Sequence, residues 1–222
     1  MTPRNNAPLA LAVGCVAILG VMALHPTGAD AAADATTGTG HGLVLARGVH
    51  GVAIAAIPLL LAGMTALSWR LRAQAELAVL ALICFTLACM SVLGAATMSG
   101  FVAPAVLDRL PSVGDPLRDV AFQQLHYTGV LNQAFAKVYV GLAGAAFGLW
   151  ALAMRGDRAF PVALRWGALL AGVLPVVGVA VGHLRLDVRG FGLVVLVHSA
   201  WMMAAGWLAR RDPTPTATVT PP

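Results

Sequence analysis

An all-α, polytopic membrane helix bundle is the fold this sequence predicts, on three observations. Of its 222 residues, 59% are hydrophobic and 10% charged, against about 45–50% and about 25% in soluble domains. A chain this short of polar side chains cannot cover a water-facing surface, and its mean hydropathy of +0.83 places it in lipid. The apolar residues also fall into six runs near the ~20 residues that a hydrocarbon core demands. Basic residues are unclustered and glycine has no fixed period, which excludes nucleic-acid binding, wholesale disorder and a collagen-like chain.

The six spans are 9–24, 43–69, 77–101, 128–154, 162–181 and 191–208, in one transmembrane domain covering 1–222 with a disordered tail at 212–222. The first is a short apolar run behind Arg4, followed by small residues at 28–35. That pattern also suits a secretory signal, whose cleavage would leave five spans. The second ends at Arg70 and Arg72, and the third starts at Glu76. Arg155 closes the fourth, Arg165 stands inside the start of the fifth, and Arg210 closes the sixth. Pro58 and Pro175 should kink their spans. Pro104, Pro111 and Pro116 mark 102–125 as a long loop.

Orientation follows from the arginines. With a cytoplasmic N-terminus, the inner segments hold Arg4, Arg70, Arg72, Arg155, Arg158, Arg165, Arg210 and Arg211, against five arginines outside, while six of nine acidic residues fall outside. The positive-inside rule then puts both termini in the cytoplasm. The expected setting is the inner membrane of a bacterium.

Several features need no ligand. Cys15, Cys84 and Cys89 lie inside spans without a C-x-x-C pair and read as small hydrophobes. Gly144 and Gly148, like Gly178 and Gly182, permit close helix approach. Trp69, Trp150, Trp166 and Trp207 lie near the inner span ends, as an interfacial belt would.

The polar residues inside spans carry the functional signal. Counting ~1.5 Å per residue from each inner anchor, five spans place polar groups near the outer edge. These are His50, Met98 with Ser99, Lys137 with Asn132 and Gln133, His183, and the slightly deeper His198. On the fourth span His126, Gln133, Lys137, Gly144 and Gly148 share one helical face. The glycines predict that this face packs inward, bringing Lys137, the only lysine against thirteen arginines, into the bundle. A buried ammonium needs an anion or a route to water, and Asp187, Asp108 and Asp119 are the nearest acids.

Four readings follow. Haem b would take two of His50, His183 and His198 as axial ligands, with Lys137 or Arg185 on the propionates, in a redox or electron-transfer role. Zinc or copper could use the same three histidines with Met98 or His126, although Lys137 opposes a divalent cation. A small transporter or lipid-headgroup site would hold an anionic ligand on Lys137. A non-catalytic accessory subunit would need only membrane-protein partners. Snorkelling of Lys137 to the interface competes with the three ligand readings.

Overall fold

A computed structural model describes residues 6–25, 41–110, 114–157 and 159–210, excepting the side chains at 115 and 116. The expected tail at 212–222 lies outside them. The helices are α1 (Ala7–Leu24), α2 (His41–Arg70), α3 (Ala75–Thr97), α4 (Ala103–Arg109), α5 (Asp115–Ala153), α6 (Val162–Ala180) and α7 (Val188–Ala209). A π-helical turn at Met98–Val102 joins α3 to α4, and short 3-10 turns follow α2 and α5. Among the described residues, six helical segments are long and apolar enough to span a membrane, α3 and α4 counting as one.

The spanning helices close into a ring in the order α1, α2, α3, α5, α6, α7 and back to α1. Arg70 defines one end of it. Its Nε lies 3.5 Å from Asp157 Oδ2, beyond α5, and its Nη1 donates to the Ala209 carbonyl at the end of α7 over 3.5 Å. We call this the arginine end.

The main core fills that half, with Leu11, Met64, Phe85, Phe147, Trp150, Phe160 and Trp201 all buried. Lipid tails are as apolar as leucine, so close fit and hydrogen bonds, not transfer from water, hold such helices together. Glycine supplies the fit. A Cβ on Gly63 would lie 2.4 Å from Leu11 Cβ, and one on Gly206 would lie 2.8 Å from Leu11 Cδ2. The first span is thereby keyed between α2 and α7 as a working member of the bundle. Gly144 meets Gly172 of α6, where an added Cβ would come 2.8 Å from the Gly172 carbonyl oxygen. Gly148 and Gly182 meet no such neighbour; Gly182 instead turns the chain out of α6 at φ +76°.

Two tryptophans stand apart from the rest. Trp150, expected in the interfacial belt, is fully buried and donates Nε1–H to Ser68 Oγ at 3.0 Å. Trp201 donates to the Leu164 carbonyl at 2.9 Å. Trp69, Trp166 and Trp207 are exposed, as a belt requires.

The expected loop at 102–125 is largely helix. Pro116 occupies the first turn of α5, where a missing N–H costs nothing, and Pro104 stands at the start of α4, directly after the π turn. The wider π turn before Pro104 fits a ring that has no N–H to offer the preceding turn. The consequence is a long α5. Its 39 residues rise about 58 Å and the 30 of α2 about 45 Å, against about 28 Å for the 19 of α6. Because all three start from the arginine end, α2, α4 and α5 run past α6 at the opposite end. There the Arg47 guanidinium pairs with the Asp108 carboxylate, tying α2 to α4.

Candidate functional site

The expected polar layer does not assemble as one pocket. His198 lies deep in the bundle, 1% exposed, stacked on Phe147 with ring centroids 4.4 Å apart. Its Nε2 is 3.1 Å from the Ala171 carbonyl, and its Nδ1 is 2.9 Å from the Tyr139 hydroxyl. A carbonyl only accepts, so Nε2 carries the proton, Nδ1 accepts, and Tyr139 donates. Both ring nitrogens are thus occupied, and ligating haem or a metal through His198 would break one of these bonds.

His50 occupies a separate site on α2. Its Nδ1 donates to the Ala46 carbonyl at 2.7 Å, leaving Nε2 as acceptor. The partner is His25 Nε2 at 3.2 Å, edge-on with ring centroids 4.8 Å apart. Gly100 of the π turn backs this pair so closely that a Cβ there would stand 2.3 Å from His50 Cβ. Met98 and Ser99 flank Gly100 and are half-buried.

His183 and Arg185 are exposed in the α6–α7 connection, and His126 is exposed on α5. Among the described residues, no three His, Cys, Asp or Glu side chains gather as a metal site would require. The grouping of His50, His183 and His198 therefore does not form, and the arrangement lends haem ligation no support.

Lys137 also departs from expectation. It is exposed on the flank of α5, whose buried face is Ala136, Tyr139, Val140 and Ala143. The glycine face does pack inward at Gly144, against Gly172 of α6, but Lys137 two turns further out is exposed. Gln133, one turn from Lys137, donates Nε2–H to the Leu186 carbonyl at 3.0 Å, and Asn132 is half-buried beside it. Of the acids proposed to pair with Lys137, Asp187 caps α7 by accepting from Gly190 N at 2.8 Å, and Asp108 holds Arg47.

The structure gathers a different set. A partly open cavity of about 70 Å³ lies between α1, α2, α3, α5 and α7. Its walls include Ile18, Ala53, Ile57, Phe85 and Val195, and Tyr139, Ser199 and Cys89 bring the polar atoms. Cys15 lies within hydrogen-bonding reach of Ser199. Met22 and Ala53 line the end away from the arginines. One turn further along their helices stand His25 and His50, which places the imidazole pair over that end.

No protein family model, curated protein or solved structure matches this chain.

Sequence reading misses His25, one residue past the first span's limit at 24, and Tyr139, one of only two tyrosines. A signal for Tyr139 existed. Counted from Arg155 and Arg210, Tyr139 and His198 fall about 24 and about 18 Å from the arginine end on α5 and α7, one helical turn apart in depth.

Proposed function

We propose that the protein binds a single-chain, lipid-like amphiphile in the membrane, with the end of its chain in the cavity and its polar head on the side of the His25–His50 pair. The observation that carries this reading is the alignment of a narrow apolar slot with an imidazole pair at one end. Size decides against a ring system: an engineered cavity that holds benzene is about 150 Å³, roughly twice this slot. It leaves no room for a porphyrin and would take only the last few carbons of an acyl chain. Of the expected readings, this keeps the lipid-ligand one and moves the recognition from Lys137 to the histidine pair.

By the positive-inside rule, the arginine end is cytoplasmic in a bacterial inner membrane, both termini lie there, and the histidine pair opens outward. A reporter fused to the C-terminus that is active only in the cytoplasm should be active; inactivity would reverse the orientation.

The binding test uses a fluorescent polyene fatty acid titrated into purified protein in neutral detergent. Saturable binding above that of empty micelles is expected, weakened at least tenfold by Ala53→Phe, which fills the slot, and also weakened by His50→Ala. Uptake no greater than that of empty micelles, or binding indifferent to both variants, would refute the proposal.

A further inference from the structure

A second cavity, at the arginine end and independent of the slot, carries a separate inference. It lies between the last turn of α5 and the first turns of α6, with a volume of about 130 Å³, and Arg155, Arg165 and Trp166 line it beside Leu152 and Leu169. The Nε of Arg165 is buried without a hydrogen-bond partner, the one side-chain atom so placed among the described residues. A buried guanidinium N–H left unmade is costly and calls for an acceptor.

The described residues supply none. Asp157, two residues from Arg155, is engaged by Arg70, and neither Arg155 nor Arg165 has an ion-pair partner among the described residues. Arg165 also stands four residues into α6, a helix start without a side-chain cap, where the helix dipole favours negative charge and disfavours an arginine. One anion between the two guanidinium groups would meet the orphaned donor and reverse the local charge conflict. Guanidinium forks match phosphate oxygens in pairs. The site sits at interfacial depth, where the exposed Trp166 (60%) marks the headgroup level. Basic pockets between helices on the cytoplasmic side take phospholipid headgroups.

We infer that Arg155 and Arg165 form a phosphate-binding site, filled by the headgroup of an anionic phospholipid lying in the α5–α6 groove. The test is the thermal midpoint of the purified protein in neutral detergent with phosphatidylglycerol, phosphatidylcholine or inorganic phosphate added. Phosphatidylglycerol should raise the midpoint by roughly 3 °C or more over phosphatidylcholine. The gain should vanish in Arg155→Gln/Arg165→Gln and persist in Arg185→Gln at the opposite end. Inorganic phosphate giving the same arginine-dependent shift would uphold the phosphate site with the free anion as occupant; a silent phosphate arm upholds the lipid. No gain in the wild type from either source, or equal loss in the Arg185 variant, overturns the site. Should the double variant fail to fold, native mass spectrometry of Arg165→Lys decides. It must shed bound phosphatidylglycerol more readily than the wild type, and equal retention overturns the proposal.

Discussion

The Tyr139 hydroxyl donates a hydrogen bond to Nδ1 of His198 over 2.9 Å, and His198 Nε2–H donates to the Ala171 carbonyl over 3.1 Å. This chain crosses the bundle from α5 through α7 to α6 and leaves no polar atom of the pair unpaired. Tyr139 also packs edge-on against Phe191, with centroids 5.5 Å apart, so its ring is held from two sides.

Tyr139→Phe removes the donor and strands a buried imidazole nitrogen. It should cost about 1–3 kcal/mol, the penalty for an unsatisfied buried group. Equilibrium unfolding in mixed micelles would read it. In Tyr139→Phe/His198→Phe the two losses should not add, since one bond is removed twice; simple additivity would mean that the bond contributes nothing.

Leu11 fills the space left by Gly63 and Gly206. Gly206→Ala should destabilise by about 1–3 kcal/mol through overpacking against Leu11 Cδ2, and Leu11→Ala, which removes that atom, should restore part of the loss. Unfolding midpoints of the single and double variants check this. Absence of rescue would show that α1 is not packed as described.

Lys137 is exposed, so Lys137→Gln should alter stability by about 0.5 kcal/mol or less, as surface changes do. The same change at a buried, paired ammonium would strand its partner and cost several times more. Denaturation of the variant in micelles separates the two environments.

Much of the fold was legible because bilayer thickness imposes a length on apolar runs. The expected limits 162–181 lie within one residue of α6, and 43–69 lies within two of α2. Prolines misled at 102–125 because the cue for a loop and the cue for a first helical turn are the same residue. Only the neighbouring turns decide which applies. The histidines were legible as unusual residues in a span, yet not as partners. His25 lies just past the end of α1 and counted as loop, although its ring reaches back to α2.

The sequence by itself determined six segments long and apolar enough to span a membrane, with eight of thirteen arginines on one side of them, because charge and hydrophobic length are properties of each segment alone. Tertiary structure decided which side of every helix faces inward. Lipid and protein interior are equally apolar, so a spanning helix carries little periodic contrast to report its rotation. That is why Lys137 was placed inside on the strength of two glycines and stands outside, while Tyr139, unremarked in a run of apolar neighbours, holds the buried histidine. The separation of His50, His183 and His198, and the cavity beneath the first of them, depend on how six helices are turned against one another.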